Sequence, residues 1–149
     1  MTKQKKLLRI SIKRIIFTGI LGALLLVGVI LGYTTRATLL ELWKTRFMAG
    51  IVWYMVYVDA FFFAVGGAFI PSLISLKFDI RVEKKVRWLL LTIGVVAMLL
   101  YLYLGAWMTF TGFSLPGFLM PLVRNPTFEI LNFLIPFSFG AIVFLWINR

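Results

Sequence analysis

From residue 15 to residue 35 the chain carries no charged side chain, and from residue 88 to residue 123 it again carries none. Two more apolar runs complete the pattern: residues 48–76, whose single charge is Asp59, and residues 128–147, with Glu129 near their start. At 1.5 Å per residue, about 20 apolar residues cross a hydrocarbon core of ~30 Å, so runs of this length point to helices that lie in a membrane. Composition agrees. The chain is 62% hydrophobic and 14% charged, whereas soluble domains hold about 45–50% apolar and about 25% charged residues. The expected fold is all-α: one integral membrane domain over residues 1–149, with four transmembrane helices at about 15–33, 48–71, 88–111 and 128–147.

The third uncharged run needs care, because two crossings would take about 40 residues plus a turn and residues 88–123 offer fewer. One crossing fits. The remainder, 112–127, is apolar but holds Pro116, Gly117, Pro121 and Pro126, and lipid does not tolerate exposed irregular backbone. It is expected as a Pro-rich outer loop between helices 3 and 4, lying at the interface, packed on a partner, or dipping back as a re-entrant turn. Residues 33–47 read as a short polar connection able to lie as an amphipathic helix on the outer interface. Pro71 is expected to bend or end the second span.

Charge sets the orientation. The 16 basic residues outnumber 5 acidic ones, and in a membrane chain such an excess marks cytoplasmic flanks and anionic headgroups. One patch is the lead-in, residues 1–14, with Lys3, Lys5, Lys6, Arg9, Lys13 and Arg14; the other holds Lys77, Arg81, Lys84, Lys85 and Arg87. With Arg149 they put 12 positive residues on one side, against Arg36, Lys44, Arg46 and Arg124 on the other. Both termini are therefore expected in the cytoplasm of a multi-pass protein of the cell membrane. Lys5, Lys6, Arg9, Lys13, Arg14, Lys84, Lys85 and Arg87 are the expected lipid-headgroup anchors. Nucleic acid is not an expected partner, because the charges are split between membrane flanks instead of forming one groove. The apolar run after the lead-in exceeds the 7–15 residues of a signal-peptide core and no A-x-A site follows, so it is expected to stay as the first helix.

The chain contains no cysteine and no histidine, which removes the usual ligands of haem, iron–sulfur, copper and zinc and the usual catalytic nucleophile–base pairs. No cofactor and no enzymatic activity are expected. Five carboxylates remain: Glu41, Asp59, Asp79, Glu83 and Glu129. Asp59, ~18 Å along a helix axis from Phe47, is expected near mid-bilayer, where an ionised group costs at least ~2.5–3.5 kcal/mol. It therefore protonates or faces protein. Tyr101, Tyr103 and Ser138 are the polar groups expected at its depth, with Asn132 and the carbonyl freed by Pro136 slightly shallower. Two readings stand: a proton- or ion-binding carboxylate on a transport path, or a hydrogen-bonded group that fixes helix packing.

Helix packing is expected at Gly22, Gly28, Gly32 and Gly66, since Gly28 and Gly32 make a GxxxG spacing, which lets a second helix approach closely. The five tryptophans fall near expected interfaces, as an aromatic belt does. The span order, with Asp79-Ile80-Arg81-Val82 after the second helix and a Pro-rich loop before the fourth, somewhat resembles the small membrane subunit of TRAP transporters over the second half of the chain. The acidic pair that family often carries near the start of its second helix is missing here. Small multidrug transporters also have four spans but place a Glu in the first helix, where this chain has none, so neither family is assigned. The expected role is a small accessory or scaffolding subunit of a larger membrane complex, with membrane lipids and other subunits as partners. The alternative is a transporter or channel formed by oligomerisation, with Asp59 as its coupling site; a hetero-complex is favoured over a homo-oligomer.

Overall fold

Runs of Leu, Ile, Val and Phe with no charge to solvate leave the backbone one way to satisfy its own polar groups, and they do form helices. The computed structural model of the chain describes residues 3–46, 54–78, 80, 82–109 and 127–147. Helix α1 covers Lys3–Arg46, a π-helical turn covers Tyr54–Val58 and runs straight into α2 at Asp59–Lys77, α3 covers Lys84–Thr109, and α4 covers Thr127–Ile147. Four helices are long and apolar enough to cross a membrane, over Ile12–Thr35, Val56–Lys77, Lys84–Gly105 and Ile130–Ile147. The Pro-rich stretch 112–126 lies outside the described residues.

Two expected boundaries are corrected. The polar connection at 33–47 is not a break, because α1 continues through it to Arg46. Residues 36–46 contain no Gly or Pro. The hydroxyls of Thr34 and Thr35 also donate back to the carbonyls of Ile30 and Leu31, so these polar side chains are satisfied without leaving the helix. Pro71 likewise does not end the second helix, which continues to Lys77. Its missing N–H costs one backbone bond, a loss that membrane helices absorb against their neighbours.

Contacts fix the topology. Arg14 meets Ser75, Thr18 meets Ser72, and Gly22 and Gly28 face the rings of Phe69 and Phe62, so α1 and α2 run antiparallel. The edge-to-face pair Trp88 and Trp146, with ring centroids 6.0 Å apart, and the contact of Gly94 with Ile142 make α3 and α4 antiparallel. Alternating directions leave α2 and α4 parallel, with the Phe63 and Phe133 rings 5.1 Å apart. The helices lie side by side in the order α1, α2, α4, α3, and α3 also reaches the π-turn. Arg14, Lys77, Lys84, Trp88 and Trp146 thus share one end of the bundle, called the basic end below.

The tightest seam is between α2 and α4. A Cβ on Gly67 would sit 1.8 Å from the Phe137 carbonyl oxygen, and one on Gly140 would sit 1.8 Å from that of Ala64. Each glycine lets the other helix's backbone come within contact distance, as small residues do where membrane helices pack. Ala60 and Pro136 are buried beside this seam.

The four glycines singled out by sequence differ among themselves. A Cβ at Gly28 would meet the Phe62 ring at 2.4 Å and one at Gly22 the Phe69 ring at 3.3 Å, while Gly66 has only ordinary contact with Leu25 and Phe137. A Cβ at Gly32 would meet nothing within 4 Å among the described residues. The antiparallel register places Gly32 opposite the π-turn, and that turn packs towards α3 instead of α1.

At the basic end a polar seam joins α1 to α2. The buried hydroxyls of Thr18 and Ser72 share a hydrogen bond of 2.5 Å, and Ser75 Oγ donates to the Ser72 carbonyl at 2.7 Å. Arg14 Nη1 donates to the Ser75 carbonyl at 3.2 Å, which is one of the last four carbonyls of α2 and has no partner within the helix. A guanidinium there also favours the negative end of the helix dipole. Removing one hydroxyl leaves the other buried and unpaired, so Thr18→Val and Ser72→Ala should each lower stability by about 1 kcal/mol. Thermal unfolding in detergent measures this; wild-type stability in both variants would show the bond to be energetically idle.

Candidate functional site

The π-turn Tyr54–Val58 is the irregular element among the described helices, and it ends on the residue before Asp59. Such a turn holds one residue more than an α-helix fits in the same length, and single π-turns recur at functional sites. Two of its residues, Val56 and Val58, are β-branched and stiff at χ1, which weakens their preference for the regular helix. The neighbouring helix makes room for the bulge. A Cβ on Gly105 of α3 would lie 2.4 Å from Val56 Cγ1, so the absence of a side chain there is what lets Val56 sit against α3.

Two tyrosines then pin the turn to α3 reciprocally. Tyr101 Oη donates to the Val56 carbonyl at 3.0 Å, and Tyr57 Oη donates to the Leu102 carbonyl at 3.4 Å. Tyr101 is buried, 4% exposed, so its hydroxyl depends on this carbonyl for its hydrogen bond. Asp59 is half-buried at the start of α2 and, with Tyr57, lies within electrostatic reach of the Tyr101 hydroxyl. One carboxyl, two phenols and two backbone carbonyls are thus gathered at one level of the bundle.

Among the described residues the apolar window of α2 covers Val56–Lys77. Residues 48–53, expected to form the start of the span, lie outside the described residues, and the helix runs on past Pro71 to Lys77, ~27 Å along the axis from Asp59.

Of the polar groups expected around it, Tyr101 is there. Tyr103, two residues further on, turns to the exposed side of α3. Ser138 is exposed, two residues beyond the buried Pro136 on α4. The Glu129 side chain, Arg124 and Asn125 lie outside the described residues.

Sequence reasoning passed over Tyr57 and Gly105. A tyrosine two residues before Asp59 was a visible signal for the first. For the second, a glycine near the end of an apolar helix carries no signal without its neighbour.

Among the expected headgroup anchors, Lys13, Lys84 and Lys85 are exposed, whereas Arg14 and Arg87 are only partly so. Arg14 turns to the α2 terminus as described, and Arg87 Nε is buried with no hydrogen-bond partner. The side chains of Lys5, Lys6 and Arg9 lie outside the described residues. Among the described residues no group of three or more His, Cys, Asp or Glu could hold a metal ion.

Comparison with protein-family models, with curated proteins and with solved structures finds no match.

Proposed function

We propose that this chain is a multi-pass protein of the cell membrane, with both termini in the cytoplasm, that serves as an accessory or scaffolding subunit of a larger membrane complex and has no catalysis of its own. The observation that supports this reading is α1. Its apolar window is the least covered of the four, it packs mainly on α2, and large apolar side chains such as Leu26, Val29 and Ile30 are exposed along it. The helix then runs 11 residues, 36–46, beyond that window. A long helix held along one side presents the rest of its surface to lipid and to other membrane subunits, and Gly32, where an added Cβ would meet none of the described residues, suits close approach by a second helix.

The orientation follows from 12 basic residues against 4 and the positive-inside rule. Cysteines introduced at Lys5, Glu83 and Arg149 should react with an impermeant maleimide only from the cytoplasmic side, and one at Arg124 only from outside. Labelling of Lys5 and Glu83 from opposite sides would end the four-span reading. After mild detergent extraction the native protein should migrate on a blue-native gel in a band containing other membrane proteins. A homo-oligomer alone would reject the accessory role and favour a transporter or channel formed by this chain. That second reading draws on the π-turn beside Asp59, since irregular backbone next to an intramembrane carboxylate is how several transporters build coupling sites.

A further inference from the structure

The same number of residues separates Gly67 from Gly140, Ala64 from Phe137 and Arg14 from Arg87, so the hairpin of α1 and α2 and the hairpin of α3 and α4 place an arginine at equivalent positions of the basic end. The two arginines fare differently. Arg14 donates to the Ser75 carbonyl near the end of α2. Arg87 stands two helical turns before Gly94, on the face of α3 that meets Ile142 of α4. It is only partly exposed, and its Nε is buried with no hydrogen-bond partner among the described residues. The lysines divide in the same way. Lys77, on the first hairpin, lies over the ring of Phe78 at 5.7 Å, whereas Lys84 and Lys85, in the first turn of α3, are exposed. Beside them Trp88 packs edge-to-face on Trp146, and tryptophans at the end of an apolar helix favour the level of lipid headgroups.

We propose that the corner formed by Lys84, Lys85, Arg87, Trp88 and Trp146 is a binding site for an anionic phospholipid, whose phosphate accepts hydrogen bonds from the Arg87 guanidinium. A buried donor on a charged group is costly to leave unpaired, and a phosphate is the acceptor whose geometry a guanidinium matches. Among the described residues Glu83 is the one acid at this corner, against three cations, so the corner keeps a positive charge that favours an anionic headgroup over a zwitterionic one. The half-exposed ring of Trp88 gives the lipid's glycerol and upper acyl chain a flat surface to lie on. Arg14 and Lys77, engaged within the first hairpin, take no part. This site rests on the membrane placement proposed above and narrows the anchoring expected of the whole basic end to one corner; the accessory role does not enter it.

The full chain, stripped of lipid in a neutral detergent, is titrated with phosphatidylglycerol, phosphatidylcholine or inorganic phosphate, and native mass spectrometry reads the fraction that carries one lipid. Phosphatidylglycerol should bind several-fold more tightly than phosphatidylcholine. Arg87→Gln should weaken that binding several-fold, and Arg87→Lys, which keeps the charge but loses the planar fork, should weaken it less. Lys13→Gln removes the same charge from an exposed position on α1 and should leave binding unchanged. Equal losses in Arg87→Gln and Lys13→Gln would mean diffuse attraction to the basic end and would overturn the proposal. So would phosphatidylcholine binding as tight as phosphatidylglycerol, or displacement of the lipid by millimolar inorganic phosphate, which would make this a site for the free ion. If Arg87→Gln does not fold, the wild type still decides: its unfolding midpoint should rise with phosphatidylglycerol and not with phosphatidylcholine, and Lys84→Gln with Lys85→Gln should blunt the rise. An absent rise overturns the site. Membrane placement is checked separately by the cysteine labelling above, so a failed titration with the expected labelling pattern rejects this corner alone.

Discussion

Alanine at Gly67 or at Gly140 is expected to cost the bundle about 3 kcal/mol, the upper part of the range for overpacking. The reason is what the new methyl meets. At Gly28 an added Cβ strikes the ring of Phe62 and at Gly105 it strikes a Val56 methyl, both of them side chains. At Gly67 and Gly140 it strikes a backbone carbonyl of the opposite helix at 1.8 Å, well inside contact distance, and the nearest carbon of that peptide lies at 2.6 Å. A peptide group inside a helix does not rotate away, so α2 and α4 must separate and loosen the burial of Ala60 and Pro136 along the same seam. The two substitutions should also be less than additive, because whichever comes first already opens the gap the second needs. Unfolding midpoints of the two single variants and the double variant in one detergent measure both claims. Gly32→Ala is the control: with no described residue within 4 Å of the added Cβ, it should change stability by less than about 1 kcal/mol, and in the stabilising direction expected of alanine in a helix. A Gly67→Ala protein as stable as wild type would mean that α2 and α4 do not approach along this seam.

Tyr101→Phe should be the next most damaging, at about 1–3 kcal/mol. The substitution keeps the ring and removes only the hydroxyl that donates to the Val56 carbonyl. No water stands ready to replace it if the site lies within the hydrocarbon, where unsatisfied backbone groups are most costly. Tyr57→Phe should cost less, because its bond to Leu102 is longer at 3.4 Å and the residue is only partly buried. The ordering of the two variants is the informative result. Equal effects would indicate that the rings pin the π-turn to α3 and the hydroxyls do not.

The helices were legible because charge marks where a chain leaves lipid, and four apolar windows follow directly from the sequence. What charge does not mark is where a helix ends. Arg36 and Glu41 close the first apolar run, yet nothing between Tyr33 and Arg46 breaks a helix, and α1 passes through. The converse error was made at Pro71, a breaker in water that a packed bundle accommodates.

The glycines show a different limit. Gly66 and Gly67 adjoin in sequence, but in a helix they point about 100° apart, and only the neighbour decides which faces it. Ala60, Ala64 and Gly67, spaced four and three residues apart, formed a readable stripe of small side chains. Its partner at Gly140 is some 70 residues away and could not be matched without the fold. The Tyr101–Val56 bond lay further still from view, since it depends on a π-turn that no residue pattern announces.

The parallel pairing of α2 with α4 has a consequence for how the protein is made. The seam that brings the two backbones together joins the second helix to the fourth, so until α4 has left the ribosome the small-residue face of α2 lacks the mate it has in the folded bundle. Through the whole time α3 is being made, that face waits, and the seam closes only when α4 arrives.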